Sequence, residues 1–453
     1  EINMATNSFI AVPPDSTGKK LYTQEHSVDG NPVQAQVYHL GCGKHPEHIQ
    51  LVDGRGQAFT RFAEGSPTMD AFGNLRISSA KILGGYEYTN SDMTDLFQDV
   101  VATGGLFTWN RSAANTLMSV NSSSGSSAIR TTNRYHYYQP GVGNLIILTL
   151  AHGDSGKTNN IRRWGYFDTS DGIYFELDGT TLYAVLRSSV SGAITETRVP
   201  QSAWNGDKLD GSGTSAMTIN VTKANFYFID FAWLGVGAVR LGVLSPDGAR
   251  WVAHTFENPN NNLGAYMRSG SLPVRFENTN IGSTASTSEV NLICGAVYSE
   301  SGTVYTYWRY SDIETPTPKT ITTNTPILSM KASPGTRTGI YPESLNIFVT
   351  GGNVKLSIID DGVLTNATWG ITGADIALGD VGATAVSGGE RFKTWYVPTG
   401  VTNIDLTPFY ETNDEGYHRL ADDSDSYVFS LIGTKLDGTT VTVMATLNYK
   451  ELA

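Results

Sequence analysis

Four side chains with metal-ligand chemistry, His39, Cys42, His45 and His48, stand at three-residue intervals in this 453-residue chain. Imidazole and thiolate both suit zinc. Equal spacing of three matches no common zinc signature, and Gly41, Gly43 and Pro46 break the segment. The plainer reading is exposed histidine on a turn-rich arm, and no metal is assigned. Asp422-Asp423-Ser424-Asp425, after Asn413-Asp414-Glu415-Gly416, offers oxygens of the kind calcium takes. A calcium loop needs glycine at its sixth position, where Tyr427 stands, so a solvated acidic loop is expected. His152-Gly153-Asp154-Ser155-Gly156-Lys157-Thr158 evokes a phosphate loop but has two residues between its glycines, where the motif needs four. Gly125-Ser126-Ser127 lacks the strand-to-helix elbow of a serine nucleophile. Asp230, Glu257 and Glu277 could in principle supply the paired carboxylates of a glycan hydrolase. Acidic residues are plentiful, so a pair in sequence says little. No catalytic, cofactor-binding or metal residue is assigned, and a non-enzymatic protein is expected.

Composition narrows the partners. There are 31 basic and 43 acidic residues, a net charge of -12, so no basic cluster is available to displace counterions from nucleic acid. The densest basic spot is Arg162-Arg163. An anionic membrane surface is disfavoured for the same reason, and no run of 18 apolar residues spans a bilayer. The first residues lack the basic and apolar regions of a signal peptide. Cys42 and Cys294 form no disulfide framework, which suits a reducing cytoplasm, and both read as small buried hydrophobes.

The elements that carry these residues read as strands and turns. Asp-Gly occurs eight times, a pair that tolerates tight hairpin turns. Asp171-Gly172 and Asp178-Gly179 bracket a hairpin strand at 173–177. Leu182, Ala184 and Leu186 alternate with Tyr183, Val185 and Arg187, the period of a half-buried strand. Val354, Leu356 and Ile358 alternate in the same way, as do Val441, Val443, Ala445, Leu447 and Tyr449. One stretch reads as helix: Ser91 as cap, then 92–101 with acids in its first turn. Aromatic clusters Tyr135-His136-Tyr137-Tyr138, Phe226-Tyr227-Phe228 and Tyr305-Thr306-Tyr307-Trp308 place rings on both strand faces. One face is core, and the other is free to stack on sugars or pack on another subunit.

The fold expected is all-β. Residues 1–65, broken by Gly and Pro, form an extended docking arm whose strands do not exceed about six residues. Residues 66–312 form an antiparallel jelly roll or β-sandwich, 313–330 a Thr/Pro linker, and 331–453 a smaller β-sandwich.

Asp70-Ala71-Phe72-Gly73-Asn74-Leu75-Arg76-Ile77-Ser78 resembles a motif of a family of tailed-phage virion proteins from phages of cyanobacteria and other marine bacteria. The run NFYFIDFAWLGVGAVRLG at 225–242 is similar to that family's central motif, and Leu272-Pro273-Val274-Arg275-Phe276-Glu277 continues the match. The resemblance implies a virion structural protein made in the host cytoplasm, and no catalytic residues. The position expected is tail, neck, baseplate or fibre, anchored by the N-terminal arm. The alternatives are a capsid-decorating protein or head fibre, and a glycan-binding or glycan-cleaving receptor-recognition protein. Expected partners are other virion proteins, further copies of the chain (a trimer if it is a fibre) and host surface glycan, without nucleic acid or membrane insertion.

Overall fold

A computed structural model describes residues 8–11, 20–28, 31–36, 51–52, 58–59, 80–94, 96–300, 308–333, 339–372, 376–410 and 427–452. The chain divides into two units, 1–66 and 67–453. Strand accounts for 57% and helix for 3% of the structure, so the protein is all-β. No helix among the described residues is long and apolar enough to cross a membrane.

In the first unit, Ser8–Ala11, Lys20–Val28 and Asn31–Gln36 form an antiparallel three-stranded sheet. The middle strand has nine residues, longer than the six expected. Its flanking breakers, Gly18 and Gly30, fall outside it, so nothing interrupts the run between them.

In the second unit, residues 81–299 form two antiparallel sheets. The seven-stranded sheet runs Thr195–Pro200, Thr181–Ser188, Gly172–Asp178, Asn160–Phe167, Val274–Asn280, Ser127–Thr132 and Phe97–Ala102. The eight-stranded sheet runs Arg250–Phe256, Val239–Leu244, Asn225–Phe231, Asn144–His152, Ser288–Ser299, Asn115–Val120 and Gly105–Asn110, with Lys81–Glu87 also paired to Ser288–Ser299. Period-two patterning sends one side chain in two between the sheets. There Trp164, Tyr166, Phe175, Leu182, Ala184 and Phe276 meet Ile146, Leu148, Tyr227, Ile229, Phe231 and Leu241 in one core. The hairpin reading holds: Gly172–Asp178 pairs with Thr181–Ser188 through Gly179 at φ +58°. A second core joins two further sheets, in which Val354, Leu356 and Ile358 face Val441, Val443, Ala445, Leu447 and Tyr449.

Three further expectations are corrected. The helix at 92–101 does not form, and Phe97–Ala102 is an edge strand paired with Ser127–Thr132. Ser91 does accept from the Met93 N–H at 3.2 Å, but Asp92 turns to Arg130. Val100-Val101 also favours strand. The stretch 313–330 is no free linker. Trp308–Glu314 and Lys319–Ile321 pair with Val441–Leu452, while Thr325–Ala332 pairs with Phe429–Lys435. Its threonines are good strand formers, and Pro326 sits at a register shift, where a missing N–H is tolerated. Cys294 is exposed rather than buried, because it faces away from the core on the eight-stranded sheet.

Candidate functional site

Most of the residues singled out for chemistry do not come together. His39, Cys42, His45, His48 and the acidic loop at 413–425 lie outside the described residues, as does the run 70–78. Among the described residues no group of three or more His, Cys, Asp or Glu is placed to hold a metal. Asp230 and Glu277 sit on the outward faces of opposite sheets, with the sandwich core between them. Glu257 is on an exposed loop. Two carboxylates on opposite outer faces cannot flank one glycosidic bond, for which separations of about 5–10 Å are required. The stretch 153–159 links one sheet to the other and leads into a strand, not a helix. Asp154 fills it, accepting from Gly156 N–H at 2.8 Å and pairing with Lys157 and Arg162 at 2.7 Å each. A phosphate would find its lysine taken. Arg162 and Arg163 point to opposite sides of their strand, and both are ion-paired.

The aromatic clusters are mainly core. Tyr135, His136, Tyr138, Tyr227 and Phe228 are buried, Tyr137 and Phe226 half-buried, and residues 305–307 lie outside the description. These rings are therefore not the free surface the sequence suggests.

What the strands do assemble is the outward face of the seven-stranded sheet. Register puts Glu277, Arg163, Glu176 and Tyr183 side by side across four strands, with Arg275, Gly165, Tyr174, Val185 and Arg198 as the next row. Arg163 donates from Nε to Glu176 at 2.6 Å and from Nη1 to Glu277 at 3.0 Å. Arg198 donates to Glu176 at 2.7 Å and to Asp178 at 2.7 Å. Arg275 holds the other oxygen of Glu277 at 2.7 Å. Arg187 and the Tyr174 hydroxyl both donate to Glu196, at 2.9 and 2.8 Å. The guanidinium groups also cover the rings. Arg187 lies 5.1 Å from the Tyr174 centroid and 5.5 Å from that of Phe167, and Arg198 lies 4.4 Å from that of Tyr183.

The electrostatics follow from this packing. Burial pushes Glu277 up, but Arg275 and Arg163 outweigh it and hold the carboxyl below its usual range. Burial likewise opposes ionisation of Glu196, and the Tyr174 hydroxyl and Arg187 overcome it. A glycosidase acid needs the reverse, a carboxyl held protonated by its surroundings. These groups can orient and hydrogen-bond a polar partner, but they are poor proton donors. The part of the face open to solvent is its rim, where Arg198 is 34%, Asp178 32% and Glu196 25% exposed by side chain, beside half-buried Tyr183. Gly165 is required by the close approach of Tyr174, since a Cβ there would lie 2.5 Å from Tyr174 Cβ and from Ile173 O. Gly165→Val is expected to cost about 2 kcal/mol or more by overpacking, read as a lowered urea midpoint.

Sequence reading found Tyr183, Val185 and Arg187 as one outward row but missed Arg163, Tyr174, Glu176, Arg198 and Arg275. The signal available was parity: each alternates with inward-facing residues along its own strand.

No family model matches the chain, and no curated protein matches it. Among solved structures, the carbohydrate recognition domain of Emp47p is 11% identical, with 49% of this chain and 96% of that one covered at a TM-score of 0.31. A legume lectin-like domain from Entamoeba histolytica is 9% identical, with 49% and 99% covered at 0.31. A structure described under endo-acting O-glycanases of the human gut microbiota that initiate mucin breakdown is 11% identical, with 48% and 99% covered at 0.33. At these identities the likeness does not extend to individual residues.

Proposed function

We propose that this chain is a non-enzymatic structural protein of a tailed-phage virion, borne on the tail, neck or baseplate or as a fibre, whose central sandwich recognises glycan. The observation that carries the recognition role is the outward face of the seven-stranded sheet. Its acids are paired with arginine, and its rim offers planar polar groups beside a ring, a combination that suits sugar hydroxyls and an apolar sugar face. The virion role rests on the resemblance at 70–78, 225–242 and 272–277. Two of those runs lie among the described residues, and they supply the packing centre: Tyr227, Ile229, Phe231, Val239 and Leu241 from one sheet, with Leu272, Val274 and Phe276 against them. Residues that determine the sandwich are the ones a structural family would share.

A glycan array combined with a turnover assay tests this reading. Retention of a glycan without release of sugar is expected, weakened about tenfold, or 1.4 kcal/mol, by Tyr183→Ala. Glu277→Gln should change no turnover, there being none. A map of the intact particle locates the chain. Absence from particles would overturn the virion role, and absence of any retained glycan would overturn the recognition role. Measured depolymerisation that Glu277→Gln abolishes would overturn the non-enzymatic reading.

A further inference from the structure

Between the two sheets, where Lys81–Glu87 lies beside Ser288–Ser299, the side chains line a partly open cavity of about 40 Å3. Small residues create it: Gly84, Gly85 and Ala296. Phe97, Val274 and Val297 close its apolar walls, and His136 stands in the wall between them. His136 is 4% exposed, and neither ring nitrogen makes a hydrogen bond of good geometry, the Leu83 backbone interacting with the ring only weakly. The ring is wedged against the backbone of Gly84, where a Cβ would lie 2.4 Å from Cε1, so the imidazole cannot swing toward that strand.

A neutral imidazole carries one donor and one acceptor. Burying both without well-formed hydrogen bonds is costly, and a polar cavity of sufficient size is where proteins place ordered water. A second polar group lies in the same wall. Thr132 Oγ1 donates to the Arg134 carbonyl at 3.0 Å and accepts from Val274 N–H at 3.1 Å, which leaves one lone pair. One water needs about 10–15 Å3 of such volume, so the cavity accommodates about three or four and is too small for a sugar or an aromatic ring. A metal ion would find a single imidazole and no carboxylate among the lining residues. We propose that this cavity is a built hydration site, in which about three or four waters bridge the His136 ring to the Thr132 hydroxyl.

A high-resolution crystal structure of the full chain, collected with and without xenon pressure, tests the proposal. Expected are water peaks within hydrogen-bond distance of His136 Nδ1 or Nε2 and no xenon, because a site held by polar contacts excludes an apolar atom. In His136→Leu the water should vanish and xenon occupancy rise about threefold or more, as in dry apolar cavities. If that variant does not fold, the wild-type pair of data sets decides alone. A cavity without water density, xenon bound beside wild-type His136, or density for an organic molecule would each overturn the assignment.

Discussion

Lowering the pH from 7 to 5 is expected to remove about 4 kcal/mol of stability from the central sandwich. His136 and His152 are 4% and 1% exposed. Burial, with Arg134 nearby, pushes His136 down to about 3, and the Leu83 backbone offsets this only slightly. Burial, then Arg162, pushes His152 down to about 3, with Asp154 opposing. The His152 ring packs 4.7 Å from that of Trp164, and Gly153 beside it abuts Glu289. In the unfolded chain each imidazole titrates near 6.5, so at pH 5 the unfolded state holds a proton that the native state refuses. The difference is about 2 kcal/mol for each histidine at pH 5. It is nil above pH 7, grows as the pH falls through 6.5, and levels off near 3. His254, pushed to about 4 by burial, acts in the same direction. Glu277 and Glu196, held ionised, add their losses only below the ordinary carboxylate range. Urea unfolding at pH 7 and 5 measures this. His152→Leu should recover at least half of the loss, and equal midpoints at the two pH values would sink the argument.

How far the sequence could be read depended on whether a local pattern or a distant partner decided the outcome. Leu182, Ala184 and Leu186 face the core because alternation is a property of the strand itself, and Gly179 takes a positive φ because its own turn requires it. The sandwiches were legible for that reason. The helix at 92–101 was misread because Asp92 resembles a first-turn acid until Arg130, more than thirty residues away, is seen to claim it together with Asp99. Similarly, the Thr/Pro composition of 313–330 suits a linker and an edge strand equally, and only pairing with Val441–Leu452 separates them. The outward face was half legible. Parity marks which residues leave the core, but Glu277 and Glu176 flank Arg163 only because Val274–Asn280 crosses more than a hundred residues of sequence to pair with Asn160–Phe167. His136 shows the same limit. Tyr135–Tyr138 reads as a surplus aromatic cluster, and nothing local says that Gly84 will press on its histidine.

Replacing Arg130 with methionine is expected to cost about 3 kcal/mol and to loosen the edge of the seven-stranded sheet. The Arg130 side chain is fully buried, with its guanidinium 5.5, 5.4 and 4.7 Å from the ring centroids of Tyr88, Phe97 and Phe107. It donates to Asp99 at 2.7 and 2.6 Å and to Asp92 at 3.0 and 3.2 Å, so two acids share one planar cation. Burial disfavours the charge, but the hydrogen bonds that Arg130 donates to Asp99 and Asp92 outweigh it and hold the guanidinium protonated. Methionine keeps most of the contact with the three rings but strands two carboxylates. Because Asp92 and Asp99 are 24% and 27% exposed, water recovers part of that loss, which sets the cost at the low end for a broken buried pair. Lysine preserves the charge but lacks the planar fork that serves two acids, so Arg130→Lys should lose more than half of the same amount. Adding Asp92→Asn and Asp99→Asn to Arg130→Met removes the unpaired charges and should restore stability in part. Hydrogen exchange gives the local readout, with amides of Phe97–Ala102 exchanging faster in Arg130→Met while those of Gly172–Asp178 stay protected. A variant within about 1 kcal/mol of wild type would mean that the ring contacts, rather than the two acids, hold this edge strand in place.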